Sequence, residues 1–347
     1  QTPSNNYNLN LCNETVNFSL KISIMLKLSR FRSSEEQIWD SYVPKANNGT
    51  FFHLRSFLNY HPKGRFKDHS ILVRKKGKLF SLFPAVEQMV GGGKILISHP
   101  GATVGSFALP ENLSIADAFE LAGKLIEYAK SKNFQLIKIN LPPNPYQKRL
   151  SNYMEYSFFR LGFRYTKREI TSILFLEKTI EEMKKKFRPS HLRAVRKAIG
   201  NNIIVKESQD IGSFYTILKN NLEIRHGVTP THTLKELEHL FRMFPKKVRL
   251  FSAFHGGLMI AGVVTFQINR RVLLAFYISH DERYSELRAV NILFYKIFEW
   301  AIKSKYEIFD FGIFTINGEP NMGLGRFKEN FGASGIFRDT IELNLES

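Results

Sequence analysis

Three stretches of the sequence hold residues whose types and spacing could do chemistry. The first is Gly323-Leu-Gly-Arg326-Phe327-Lys328-Glu-Asn-Phe331-Gly332, where glycines and phenylalanines alternate with cations. Glycine permits tight chain reversal, and buried phenylalanine rings would anchor it. Such a segment would hold Lys328 or Arg326 rigidly near the end of the preceding strand, Phe309-Asp310-Phe311-Gly312. A fixed cation there suits a reaction in which negative charge grows on an oxygen; a basic hairpin tip is the plainer reading. The second stretch is Arg225-His226-Gly227-Val-Thr-Pro230, after an amphipathic helix over Phe214–Leu222. This cationic pair reads either as a helix-end interaction or as a ligand contact. The third runs from Lys184 to Lys206 and carries eight cations with no acid among them. From Ser190 it turns helical, with Leu192, Val195 and Ile199 on one side and Arg193, Arg196 and Lys197 on another. Those three cations are either a solvated face or an anion-binding ridge for phosphates.

Other chemistries lack their motifs. No Gly-x-x-x-x-Gly-Lys-Ser/Thr, His-Glu-x-x-His or Gly-x-Ser-x-Gly is present. Gly91-Gly92-Gly93 opens no helix and reads as a hairpin loop. A single cysteine, Cys12, excludes an intramolecular disulfide framework and a cysteine-cluster zinc site, and no metal is expected. The 347 residues carry a formal charge of +19, which favours partners rich in phosphate or carboxylate. With 31 phenylalanines, core material is ample. No apolar run is long enough to span a membrane. A reducing, cytoplasmic setting is the default expectation, with peripheral association at the inner membrane as a further one. Residues 1–24 read as a loose extension, with Met25 near the domain start.

The elements that must position these residues come from an internal duplication. Leu125-Ile-Glu-Tyr-Ala recurs as Ile297-Phe-Glu-Trp-Ala at an offset of 172, and Ile97-Ser98-His99 recurs as Ile278-Ser279-His280. Each copy reads as three antiparallel strands, a helix and a further strand. In the first copy these are Ser70–Arg74, Leu79–Val86 and Lys94–Ser98, a helix capped by Ser114, and Phe134–Leu141. In the second they are Arg249–Phe254, Met259–Gln267 and Val272–Ser279, a helix over Glu286–Ser304, and Tyr306–Phe311. A strand, helix and neighbouring strand form a right-handed parallel crossover. The predicted class is α/β with two like domains, 25–168 and 169–347, joined near Thr166–Ser172.

The Asp310-Phe-Gly312 strand, the Gly323–Gly332 motif, Arg225-His226-Gly227 and the helix Arg193-Ala-Val-Arg-Lys-Ala198 resemble the Fem-type branch of the GNAT acyltransferases. That branch carries two GNAT domains in tandem, and the resemblance spans about Met25 to Glu346. Ser98-His-Pro-Gly-Ala-Thr-Val-Gly105 resembles a loop of polysaccharide-cluster members. The resemblance implies two mixed sheets flanked by helices. It implies transfer of an acyl or aminoacyl group to an amine of a cell-envelope or polysaccharide precursor. It places Lys328 at the transfer site, and Arg225 and Tyr277 in the acceptor cleft. Two features depart from the pattern. The glycine turn that cradles a CoA pyrophosphate is replaced by Glu282-Arg-Tyr-Ser-Glu-Leu-Arg-Ala-Val290, and Gly101 and Gly105 offer glycines only at other spacing. The long helical hairpin of some peptidoglycan aminoacyltransferases is missing.

Chemically, an amine attacks a thioester or ester carbonyl, and Lys328 steadies the oxyanion. His226, Asp310 or Glu319 could take the amine proton, with Asp310 alternatively a structural partner. Tyr277 could donate to the leaving group or serve only as a core aromatic. Arg326, Arg193, Arg196 and Lys197 are candidate substrate contacts. The donor is expected to be acyl-CoA or aminoacyl-tRNA, and the acceptor an anionic small molecule or lipid-linked precursor, with no DNA partner. Two rivals stand beside this reading: a tRNA-dependent peptidyltransferase, and a non-enzymatic protein that binds RNA or membrane surfaces.

Overall fold

The computed structural model describes residues 26–226 and 229–346, without the side chains of Arg225, His226 and Ile316. The expected extension over 1–24 and the start at Met25 lie outside these residues. The first half runs β1 (Leu26–Arg30), α1 (Glu36–Tyr42), α2 (Arg55–Leu58), β2 (Lys67–Asp68), β3 (Ile71–Lys75), β4 (Lys78–Phe83), β5 (Val86–Val90) and β6 (Gly93–Ser98). It continues with α3 (Ile115–Ser131), β7 (Leu136–Asn140), α4 (Tyr153–Arg160) and β8 (Arg164–Phe175). The second half runs α5 (Ile180–Lys186), α6 (Pro189–Gly200), β9 (Ile204–Ser208), α7 (Ile211–His226), α8 (Leu234–Met243), β10 (Val248–His255), β11 (Leu258–Gln267) and β12 (Val272–His280). It ends with α9 (Ala289–Lys303), β13 (Ile308–Ile313), the small hairpin β14 (Thr315–Ile316) and β15 (Glu319–Pro320), α10 (Met322–Glu329) and β16 (Ser334–Asn344).

The duplicated unit folds largely as the sequence predicts, with one correction in the first copy: the strand expected over Leu79–Val86 divides into β4 and β5, and β3 and β4 pair with β1 in a separate three-stranded sheet. Ser114 Oγ accepts the Asp117 N–H at 3.1 Å and starts α3. The stripe Ala118, Leu121, Ala122, Leu125 and Ala129 is buried. In the second copy α9 buries Ile292, Phe294, Ile297, Phe298 and Ala301. Each helix is followed by a residue of positive φ, Asn133 in one copy and Lys305 in the other. Each then returns to a strand parallel to the one before it, β6 with β7 and β12 with β13. The expected start of α9 at Glu286 moves to Ala289. Arg288, with φ of 59°, breaks the chain between a short 3-10 turn over Glu282–Leu287 and the helix proper. The triple glycine at Gly91–Gly93 closes the β5–β6 hairpin.

The sheets of the two halves run together. One eleven-stranded sheet has the order β2-β5-β6-β7-β16-β8-β13-β12-β11-β10-β9. The last strand, β16, lies between β7 of the first half and β8, and the joint expected at Thr166–Ser172 falls inside β8. A shared core ties the halves further. Phe51 of the first half meets Phe244 and Phe266 of the second with ring centroids 4.8 and 5.7 Å apart.

The Gly323–Gly332 motif differs from the tight reversal expected of it. It forms helix α10, started by Asn321 Oδ1 accepting the Leu324 N–H at 3.0 Å. Phe331, wholly buried, packs on Phe187, His191, Phe294 and Phe327 and fixes the helix end. The reversal comes only at Gly332, whose φ is 90°. A Cβ there would lie 2.7 Å from the Lys186 Cβ and 3.2 Å from its carbonyl oxygen. Gly332→Ala is therefore expected to cost about 1–2 kcal/mol or more from the left-handed backbone alone. Urea unfolding would show it as a lower midpoint than wild type, with Gly64→Ala as a surface control of like φ and no crowding.

Candidate active site

β12 and β13 pair only over Val272–Leu274 and Ile308–Asp310. Beyond that point they part, and a cleft of 1120 Å³ opens between them. β12 contributes Phe276, Tyr277 and Ile278, and β13 contributes Phe311, Gly312 and Ile313. The first turn of α9 supplies Ala289, Val290 and Asn291, and α10 supplies Leu324, Phe327 and Lys328. Leu218 and Leu222 of α7, Arg338 of β16 and Thr103 of the first half also line the cleft. The cleft thus draws residues from both copies.

Lys328 is held in a dry, specified position. Only 1% of it is exposed. Its Nζ donates to the carbonyls of Gly312 at 2.7 Å and Ile313 at 2.8 Å. An ammonium has three donors, so two carbonyls leave one for the cleft. Burial pulls its pKa down to about 7; nearby Asp310 opposes this and Arg338 adds to it.

The carbonyls point at Lys328 because β13 is bulged. Against β8, one extra residue of β13 is accommodated between Asp310 and Ile313, and Gly312 takes φ of 75°. Asp310 pins this bulge. Its Oδ1 accepts the Thr171 hydroxyl at 2.5 Å and the Gly312 N–H at 2.7 Å, and its Oδ2 accepts the Tyr146 hydroxyl at 2.6 Å. With both oxygens engaged beneath the cleft, Asp310 is placed to position the strand, the structural alternative weighed for it above. Tyr146 belongs to the first half, so that half braces the Lys328 socket directly.

The other expected site residues divide. Tyr277 lines the same cleft as Lys328. Arg193 and Lys197 line a second pocket of 500 Å³ that shares Arg288, Asn291 and Phe327 with the main cleft. Arg196 and Arg326 are exposed and line neither. Ile199, expected on the apolar side of α6, is exposed instead; the buried stripe is His191, Val195 and Ala198. Glu319 is exposed on the β14–β15 hairpin. Arg225 and His226 end α7, but their side chains lie outside the described residues. Sequence reasoning missed Tyr146, His191, His232, Arg288 and Arg338. Of these His191 and Arg288 stood in stretches already singled out. The Nε2 of His191, buried without a hydrogen-bond partner, belongs to a residue of the second pocket.

The first copy is closed by hydrogen bonds at the corresponding place between β6 and β7. Its loop after β6 folds back, so that Gly105 N–H donates to Asn140 O at 2.9 Å. Ser98 Oγ accepts from both Ser106 N–H and Asn140 N–H, stitching β6 to β7. A Cβ on Gly105 would lie 2.7 Å from the Ser98 carbonyl, and one on Gly101 2.4 Å from the His61 ring. These glycines serve close packing and not a phosphate cradle. Before α9 the expected glycine turn is occupied by Glu286 and the left-handed Arg288. The α9 N-terminus still faces the cleft, and Arg288, Arg193 and Lys197 line the second pocket together with Asn291 of its first turn. Among the described residues no group of three or more His, Cys, Asp or Glu is arranged to hold a metal ion, and no helix is long and apolar enough to cross a membrane.

Comparison with known proteins agrees with this architecture. Residues 185–329 match the acetyltransferase (GNAT) domain. No curated protein matches the sequence. Among solved structures the chain is similar to FemX, with 13% identity over 92% of this chain and 97% of that one, at a TM-score of 0.72. It is also similar to the C-terminal domain of a proposed lysylphosphatidylglycerol synthetase from Agrobacterium fabrum (9% identity, 90% and 92% covered, TM-score 0.57). A tandem GNAT protein from the clavulanic acid biosynthesis pathway covers 92% of this chain and 98% of its own, with 10% identity and a TM-score of 0.53. The domain match marks residues 185–329 as a GNAT acetyltransferase domain, and the fold of the whole chain is that of tandem GNAT proteins. Its architecture is the tandem one of FemX, as the resemblance implied.

The brace from Tyr146 can be removed without disturbing its ring packing. Tyr146→Phe leaves the buried Asp310 carboxylate one donor short, a loss expected to cost about 1–3 kcal/mol. Thermal unfolding should show a lowered midpoint. An unchanged midpoint would mean that Asp310 finds another donor and that the first half does not brace the socket.

Proposed function

We propose that the chain is an N-acyltransferase that moves an acyl or aminoacyl group from an activated donor to an amine of a cell-envelope or polysaccharide precursor. The observation that carries this reading is the buried Lys328 at the foot of the cleft where β12 and β13 part. In the reaction the amine nitrogen attacks the donor carbonyl, the new C–N bond forms and the C–S or C–O bond breaks. The amine proton ends on the departing sulfur or oxygen. Charge gathers meanwhile on the carbonyl oxygen, and the remaining Lys328 N–H is positioned to donate a hydrogen bond to it. Being desolvated and held by two carbonyls, this donor needs little reorganisation as the charge appears.

The donor's charged portion fits the second pocket, where Arg193, Lys197 and Arg288 meet. An acyl-CoA is the donor that the GNAT fold favours. The occupied glycine turn and the exposed cations of α6 also support a bulkier phosphate-bearing donor, such as aminoacyl-tRNA. An envelope acceptor is supported by two neighbours, FemX and a protein named for lysylphosphatidylglycerol synthesis. The positive balance of the chain suits an anionic or lipid-linked acceptor presented at the inner face of a membrane.

Mass spectrometry of ligands that co-purify with the protein, followed by transfer assays with ribonuclease as a control, tests the reading. Ribonuclease-sensitive transfer would assign the tRNA donor, and insensitive transfer an acyl-CoA. Lys328→Ala is expected to lower transfer by about a hundredfold or more. Full turnover in that variant would remove the assignment. Burial depresses the Lys328 pKa to about 7, so its ammonium fraction falls as pH rises through that value. The ratio of wild-type to Lys328→Ala rates should therefore fall over the same range, which separates the lysine from ionisation of the amine substrate. Charge reversal by Arg193→Glu with Lys197→Glu should raise KM for a phosphate-bearing donor roughly tenfold, more at low salt than at high.

A further inference from the structure

A buried histidine bridges the two halves behind the cleft. His232 precedes α8 and is 8% exposed. Its Nδ1 lies 2.8 Å from the Tyr277 hydroxyl, and its Nε2 lies 2.8 Å from the hydroxyl of Tyr60 in the first half. Its backbone N–H donates to the Tyr277 oxygen at 3.3 Å, and its carbonyl accepts the Tyr215 hydroxyl at 3.1 Å. Beside this chain the Arg65–Glu236 ion pair also crosses between the halves, at 2.7 Å. Burial lowers the His232 pKa, which leaves a neutral ring with a single N–H.

The position of that proton decides what Tyr277 can do. With the proton on Nε2, the Tyr277 O–H must turn back to Nδ1 and is spent there. With the proton on Nδ1, both Nδ1–H and the backbone N–H of His232 donate to the Tyr277 oxygen. Thr231 also hydrogen-bonds this hydroxyl, and the phenol O–H is then turned to the cleft that both residues line. A Tyr60 hydroxyl donating to Nε2 selects this second state.

We infer that His232, set by Tyr60, is a positioning residue that makes Tyr277 the acid for the leaving group. This rests on the acyl-transfer reading above. In the step, the Tyr277 O–H bond breaks and an S–H or O–H bond forms on the leaving group. The resulting phenolate is held by the two N–H donors of His232. The proton released by the attacking amine restores the phenol, so the cycle balances with no other reactant.

The test uses the full-length protein in two arms. The first compares two thioesters of the same acyl group, one on N-acetylcysteamine and one on thiophenol. Thiophenolate leaves without protonation, whereas the alkyl thiolate benefits from an acid. Tyr60→Phe and His232→Gln should slow transfer from the alkyl thioester roughly tenfold to a hundredfold, and from the aryl thioester less than about threefold. Equal losses with both donors, or no loss, would overturn the assignment, since a merely structural role has no reason to distinguish leaving groups. The second arm is long-range proton–nitrogen NMR of the resting protein at pH 7. It should find His232 protonated on Nδ1 in wild type and shifted toward Nε2 in Tyr60→Phe; an Nε2 proton in wild type overturns the assignment. If wild type transfers from neither thioester, the acyl-transfer reading fails for these donors, and the NMR arm still decides the role of His232.

Discussion

The structure of the site depends on keeping one ammonium out of water. An ammonium in a protein interior is costly unless its protons are received. For Lys328 two backbone carbonyls receive them, and those carbonyls are available only because β13 bulges at a glycine of positive φ. The bulge is fixed by Asp310, and Asp310 in turn is satisfied by Thr171 and Tyr146. A chain of short hydrogen bonds therefore runs from the first half, through a buried carboxylate and a bulged strand, to the charge at the foot of the cleft. The second copy accordingly sits in a continuous sheet with the first instead of standing as a separate bead.

The two copies have diverged by what fills the gap between corresponding strands. In the first, Gly105 and Ser106 return into it and bond Asn140 and Ser98, so the gap is closed by backbone. In the second, the bulge turns β13 away and the gap stays open as the cleft. The closing loop is not idle. It carries Thr103 into the wall of the open cleft, which makes the first copy part of the cleft's lining.

The repeated unit was legible because it is written in short-range patterns. The Ser114 cap, the apolar stripe of α3, the glycine hairpins and the parallel crossovers all follow from residues within a few turns of one another. The prominence of Lys328 also came through, since phenylalanines and glycines crowd around it in sequence. What stayed hidden depends on contacts between distant residues. Tyr146 meets Asp310 across 164 positions, and Tyr60 meets His232 across 172. No local spacing announces either pair. α10 reads as a tight reversal in sequence because its glycines outweigh the Asn321 cap, and the burial of Phe331 that fixes the helix is supplied only by the folded core. On α6, two of the three cations share a pocket and the third does not, a distinction that helical periodicity alone could not make.

The most direct measurement is an NMR titration of the Lys328 side chain in the substrate-free protein, following the Cε and Nζ resonances with Lys328→Arg used for assignment. A midpoint near 7, well below the ordinary lysine value of 10.5, is the result that a buried, carbonyl-held ammonium requires. A midpoint near 10 or above would place the group in water and contradict the site described for it.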